Sequence, residues 1–230
     1  MTGIDLIIPA YNEADSIGKV LAEVPECVRE IVVVDNRSTD GTAAAARAGG
    51  ATVLREDRMG YGYACQSGLN YVTRKSNPPH IIVFMDGDYS DYPEELTKVV
   101  APILENGMDL VIGARTKALR ETGIMTPQQV FGNWLATTLM RLLFRARFTD
   151  LGPFRAIRTD ALLRLQMEDK TYGWTVEMQL KALRHKLAYC EVPVRYKKRI
   201  GVSKVSGTVK GTIFAGIKIL GWIFKYSFKK

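Results

Sequence analysis

IIVFMDGDYSDYPEEL, residues 81–96, runs five apolar residues into three aspartates within six positions: Asp86, Asp88 and Asp91. An apolar run of this length fits a strand covered on both faces, which would deliver the acids to its carboxyl end. Acids at a helix start complement the positive end of the helix dipole, and "YPEEL" reads as such a start. Clustered carboxylate oxygens are also what Mg²⁺ or Mn²⁺ selects. The DxD spacing turns Asp86 and Asp88 to one side of an extended chain, so both can meet one cation between protein and diphosphate. A calcium loop of the EF-hand type is excluded, because its sixth position is Asp91 and not Gly, and its twelfth is Thr97 and not Glu.

Outward from this stretch, "IDLIIP" (4–9), "EIVVVD" (30–35), "ATVLRE" (51–56) and "MDLVIGA" (108–114) repeat the buried-strand pattern, with helix-like segments between them. Strands alternating with helices predict right-handed crossovers, an α/β fold and a mainly parallel sheet. Ligands gather at the carboxyl ends of such strands, which puts Pro9, Asp35, Asp86 and Arg115 on one rim. The second half loses the rhythm. "PQQVFGNWLATTLMRLLFRAR" (127–147) predicts a long helix, "GPFRAIRTDALLRL" a strand then a helix, "GWTVEMQLKALRHK" a helix, and "LAYCEVPVRYK" (187–197) a strand.

The chain has 230 residues, 47% of them hydrophobic, and shows no repeat and no low-complexity linker, so one domain is expected. Cys27, Cys65 and Cys190 form no CxxC pair and read as reduced thiols. The N-terminus lacks the pattern of a secretory signal, and a cytoplasmic protein is expected. The net charge of +8 is uneven: Arg195 to Lys230 hold ten Lys or Arg and no acid, leaving 22 basic and 24 acidic residues before them. Nucleic acid is not expected as a partner, since no recognition motif accompanies the basic tail. Lys210, Lys218 and Lys225 interrupt the apolar run of residues 207–230, which argues against a membrane span. Either an interfacial helix with Trp222 and Phe224 at the bilayer or a helix packed on its own domain fits that tail.

"VVVDNRSTDGT" (32–42) is a second acidic rim, with Asp35 placed to accept from a ribose or base. "RMGYGYACQSG" (58–68) supplies glycines for close backbone approach to a ligand, but matches neither a P-loop nor a dinucleotide fingerprint. His80 and His185 have no partner spacing for a metal or a triad. Trp134 and Trp174 read as packing residues, with Trp174 beside Glu177 a candidate for lining an acceptor groove. "TPQQVFGN" (126–133) is an uncommon helix start whose role the sequence does not give.

Taken in order, "IPAYNEADSIGKVL", "VVVDNRSTDGT", "GYGYACQSG", "MDGDYSDYP", "GAR" and "TDLGPFRAIR" resemble family-2 glycosyltransferases of the GT-A fold. "YGWTVEMQLKALRHKLAYCEVPVRYKKRIGVSK" is similar to the branch with dolichyl- and polyprenyl-phosphate sugar synthases. The resemblance spans about residues 4–206, which implies a GT-A domain over 1–206. Residues 1–115 would form the nucleotide-sugar half, 116–206 the acceptor half, and 207–230 an amphipathic tail.

The resemblance implies that Pro9, Tyr11, Glu13 and Asp35 bind the nucleoside of a UDP- or GDP-sugar, and that Arg115 faces phosphate. It implies Asp86 and Asp88 on a diphosphate-bound Mg²⁺ or Mn²⁺, with Asp88 and Asp150 the catalytic acids. Relatives often carry a metal-shell Gln where this chain has Ser90, which leaves Asp91 as a possible third ligand. Asp150 would be the base for a hydroxyl acceptor. A lipid phosphate is already ionised and needs cationic positioning instead, which Arg195, Lys197, Arg199 and Lys204 offer unless that run is a solvated loop. The expectation is an inverting transferase, peripheral at the cytoplasmic membrane face, with a polyprenyl-type phosphate as acceptor. Transfer to a hydroxyl, or donor binding without turnover, are the alternatives.

Overall fold

The computed structural model describes residues 3–121, 123–201 and 209–228, the last segment with side chains from 213 to 227. Seven strands form one sheet in the order β3-β2-β1-β4-β6-β5-β7. They are β1 (Ile4–Ala10), β2 (Glu30–Asp35), β3 (Thr52–Arg55), β4 (Ile81–Phe84), β5 (Leu110–Ala114), β6 (Arg155–Arg158) and β7 (Tyr189–Pro193). All pairings are parallel except those of β6, which runs antiparallel to both β4 and β5. The expected mainly parallel α/β sheet is therefore present, with one reversed strand where the chain leaves its βα rhythm.

The helices are α1 (Ala14–Ala22), α2 (Thr42–Ala48), α3 (Tyr61–Thr73), α4 (Leu96–Asn106), α5 (Pro127–Phe144), α6 (Thr159–Leu165), α7 (Trp174–Arg184) and α8 (Val209–Phe228). The period-2 pleat divides the strands between two cores. Ile7, Val32, Val34, Ile82 and Phe84 face α3 and the C-terminal helices. Leu6, Ile8, Val33, Ile81 and Val83 face α1 and α4. This two-faced burial is why the strands read as continuous apolar runs and not as alternating ones.

β1 pairs with β2 on one side and β4 on the other, so chain direction out of the sheet switches there and a crevice opens at the carboxyl ends. Asn12, Arg37 and Tyr89 follow these three strands with φ of 54°, 66° and 62°, a left-handed conformation costly for side chains of this kind. Such residues concentrate at functional sites. Here they turn the chain sharply at the rim.

α8 packs on α5 and α7, with Trp222, Ile223 and Tyr226 buried. Trp222 donates from Nε1 to Asp169 Oδ2 at 2.6 Å. The tryptophan expected at a bilayer is thus a packing residue, because its N–H finds a buried carboxylate on the domain, while Phe224 remains exposed. Trp174 is core against Phe84, and its neighbour Glu177 is buried with Lys181 at 2.7 Å. Trp134, read as a packing residue, is 57% exposed.

Candidate active site

A cleft of about 800 Å³ opens at the carboxyl rim, lined on the sheet side by Pro9, Tyr11, Glu13, Asp86, Asp88 and Arg115. Six residues singled out from the sequence therefore share one wall. Asp35 lies behind it: Oδ1 accepts from Ser38 N at 2.9 Å and Oδ2 meets Arg55 at 2.6 Å. Its neighbour Asn36 takes the wall position, and its amide holds the next loop through Glu56 O at 3.0 Å, Arg58 O at 2.8 Å and Gly60 N at 2.8 Å. Gly60 and Gly62 lie close against the backbone carbonyls of Lys170 and Asp169, and Gly60 also lines the cleft.

The aspartates of the opening stretch separate by environment. Asp86 receives a hydrogen bond from the Tyr61 hydroxyl, and its Oδ1 is buried without a partner. Burial, then the charge of Asp88, pushes its carboxyl up to about 7, against the opposing charges of Arg199 and Arg115. Asp88 accepts at Oδ1 from Ser90 N at 2.9 Å and Ser90 Oγ at 2.5 Å, and Oδ2 meets Arg199 Nη2 at 2.5 Å. Ser90 thus supports Asp88.

Asp91 is buried and neither carboxylate oxygen has a hydrogen-bond partner. It does not cap the short helix at Pro93–Glu95, whose N-cap is Tyr92. Burial, then Asp86 and Asp88, raises its carboxyl well above the ordinary range. The three-carboxylate shell expected from the sequence is not assembled: among the described residues no three Asp, Glu, His or Cys side chains are grouped to hold a metal. The left-handed turn at Tyr89 falls between Asp88 and Asp91 and so separates Asp91 from the DxD pair. The donor set nevertheless fits a hard divalent ion, since Mg²⁺ is usually held by one or two carboxylates plus substrate phosphates, and Asp86 offers an unpartnered oxygen.

Arg115 and Asp150 form one closed unit. Arg115 donates from Nε to Oδ2 at 2.7 Å, from Nη2 to Oδ1 at 2.7 Å and from its backbone N to Oδ2 at 2.9 Å. Burial disfavours the Asp150 anion, but Arg115 outweighs it and holds the carboxyl below its usual range. Both oxygens accept from a permanent cation, so the geometry speaks against Asp150 as a proton acceptor. Arg115 faces the cleft, stacked 5.2 Å from the Tyr196 ring centroid, and Asp150 lies behind it.

Of the basic run Arg195, Lys197, Arg199 and Lys204, only Arg199 lines the cleft among the described residues. It bridges Asp88 and, at 3.8 Å, Glu13. Lys197 N donates to Ser90 O at 2.9 Å and Ile200 N to Asp88 O at 3.0 Å, which lays this loop along the aspartate loop. Arg195 is a structural ion pair instead, bound to Glu94 and Glu95 at 2.8 Å each and stacked on Tyr92. Lys197 lies over the rings of Tyr89 and Tyr92. Lys204 falls outside the described residues.

The opposite wall is mainly apolar, with Met125, Phe131, Leu135 and Ala136 from α5 and its approach and Ile219 and Leu220 from α8, interrupted by Gln128, Gln129 and Asn133 of α5. The model of the family described as Glycosyl transferase family 2 matches residues 5–165. The chain belongs to that family. A glycosyltransferase of Mycobacterium tuberculosis, uncharacterized, is 35% identical over 92% of this chain and 94% of its own length. The undecaprenyl-phosphate mannosyltransferase of Micrococcus luteus is 30% identical, covering 94% of this chain and 92% of its own. A dolichyl-phosphate hexose transferase of Haloferax volcanii is 29% identical over 87% and 85%. These names agree with the polyprenyl-phosphate branch that the motifs resemble.

Among solved structures, glucosyl-3-phosphoglycerate synthase of M. tuberculosis, in complex with Mn²⁺, UDP and phosphoglyceric acid, superposes with a TM-score of 0.79. It is 20% identical and covers 100% of this chain and 80% of its own, a likeness of fold. This chain is thus a glycosyltransferase with the family's α/β fold. Sequence reasoning missed two parts of the glycosyltransferase's cleft. Tyr61 under Asp86 was hidden in a glycine-rich stretch read for backbone approach. The cleft-facing side of α5, with Phe131 at 59% exposure, lay within a helix read for its length, its uncommon start and Trp134 as a packing residue.

Proposed function

We propose that this glycosyltransferase moves a sugar, with inversion, from a UDP- or GDP-sugar to a polyprenyl-type lipid phosphate at a membrane surface. The observation that carries this reading is the cleft itself, which holds Asp86, Asp88, Arg115 and Arg199 on one wall and the apolar faces of α5 and α8 on the other. A charged head and an apolar chain would both find complementary surface in it. The relatives named for undecaprenyl and dolichyl phosphate support the same acceptor class.

Asp86 and Asp88 would hold Mg²⁺ or Mn²⁺ together with donor diphosphate oxygens. That ion supplies positive charge for the departing diphosphate. Pro9, Tyr11 and Glu13 line the end where the nucleoside would lie. Arg115, fixed by Asp150, and Arg199 would orient the acceptor phosphate; its oxygen bonds to the anomeric carbon as the carbon's bond to the diphosphate breaks. An ionised phosphate brings its own nucleophile, so the occupied Asp150 carboxylate is no obstacle. Asp150 acts in this reading by orienting Arg115.

No helix among the described residues is long and apolar enough to cross a membrane. Phe131, Trp134, Leu142, Ile213, Phe214 and Ile217 are nevertheless all at least half exposed, on the two helices that form the groove. Exposed apolar surface of this kind marks interaction sites, and the bilayer that carries the acceptor, at its cytoplasmic face, is the partner proposed for it. The test compares a short polyprenyl phosphate with the alcohol of the same chain, with Mn²⁺ and a panel of NDP-sugars. Transfer to the phosphate and not the alcohol is expected, and the reverse preference would refute the reading.

A further inference from the structure

The helix start PQQVFGN acquires a role in the fold. Asn133 donates from Nδ2 to Thr149 O at 2.9 Å and accepts at Oδ1 from Leu151 N at 2.9 Å. Its carboxamide therefore grips the backbone on both sides of Asp150. Gln179 on α7 donates to Asp150 O at 2.9 Å, and Glu191 on β7 accepts from Thr149 N at 2.7 Å and Asp150 N at 3.1 Å. Of these three side chains, only Asn133 belongs to the helix that walls the apolar groove. A carboxamide supplies one donor face and one acceptor face, a pairing that neither Asp nor an apolar residue reproduces.

We propose that Asn133 is a positioning residue: it sets the register between α5 and the Asp150 loop, and so aims the Arg115 guanidinium at the acceptor held against α5. Its Nδ2 and Oδ1 each bond the loop, one on either side of Asp150, and through these two bonds it acts on Asp150 and Arg115. The lipid-phosphate reading enters only as the identity of the acceptor.

Asn133→Ala removes both bonds, and Asn133→Asp keeps an acceptor for Leu151 N while losing the donor to Thr149 O. Asn133→Ala is expected to raise KM for a short polyprenyl phosphate by about 10-fold or more while leaving NDP-sugar affinity by calorimetry within about 2-fold, with Asn133→Asp between it and wild type. A second readout needs no acceptor: the Arg115 Nε–H resonance of ¹⁵N-labelled enzyme, assigned by its loss in Arg115→Lys, is expected to shift or broaden in Asn133→Ala. An unchanged resonance overturns the proposal, as does parallel loss of donor affinity, acceptor KM and Tm, which would mark a merely structural role. If the wild type ignores lipid phosphate, the acceptor reading fails, and the resonance still decides the role of Asn133.

Discussion

Arg199 Nη2 lies 2.5 Å from Asp88 Oδ2, so the cation from the loop after β7 rests on an acid expected to hold metal. In this arrangement Arg199 neutralises the acid end of the cleft, and a divalent ion must compete with it. Arg199→Ala is predicted to tighten Mn²⁺ binding without donor by about 10-fold, the order of one charge-assisted hydrogen bond, while raising KM for the lipid phosphate. Titration followed by electron paramagnetic resonance reads the first effect. Unchanged or weaker Mn²⁺ affinity would show that the two cations do not compete.

The Arg115–Asp150 pair is buried and bidentate, so removing one member strands the other. Asp150→Asn is expected to cost about 3–5 kcal/mol in denaturant unfolding. Because Arg115 holds the Asp150 carboxyl below its unfolded value, the pair's contribution is fully present above the unfolded pKa. It is lost as pH falls through the lower, folded pKa. Stability profiles of wild type and Asp150→Asn should therefore converge toward low pH. A constant gap across the acid range would assign the cost to packing and not to the charge.

Trp222 and Asp169 tie α8 to the loop that also receives Gly60 and Gly62. Trp222→Phe keeps an aromatic ring but removes the indole N–H, leaving Lys218 at 3.2 Å to hold Asp169 Oδ2 from α8. A loss of about 1–3 kcal/mol is expected, with faster hydrogen exchange concentrated in α8. Uniform acceleration across the sheet would contradict local docking through this bond.

The exposed apolar faces of α5 and α8 predict partition onto vesicles. Phe131→Ala and Trp134→Ala should each weaken binding by about 10-fold, the scale of burying one large apolar side chain. Co-sedimentation with vesicles containing anionic lipid measures this. Binding that is insensitive to both substitutions would place the contact elsewhere.

The strands were legible because burial on both sheet faces leaves runs such as IDLIIP and EIVVVD with no polar alternation. The rim position of Pro9, Asp86 and Arg115 followed from strand ends alone. The separate fates of Asp86, Asp88 and Asp91 did not, because Asp91 leaves the pair through the left-handed turn at Tyr89 and Asp88 meets Arg199 from a distant loop, neither of which any period in the sequence announces. Arg195 and Arg199 were alike as members of a basic run. Their difference comes from Glu94 and Glu95, about 100 residues away, and a separation of 35 residues likewise hides the partnership of Arg115 with Asp150. The tail was read for its surface pattern, and the Trp222–Asp169 bond that docks it is likewise nonlocal.

The central claim is the acceptor. The most direct measurement offers the enzyme a radiolabelled NDP-sugar and Mn²⁺ with two competing acceptors, a short polyprenyl phosphate and phosphoglyceric acid, and follows the label into organic and aqueous phases. Label in the lipid, abolished or strongly reduced in Arg199→Ala, is the predicted result. Label in the phosphoglycerate with none in the lipid would contradict the account.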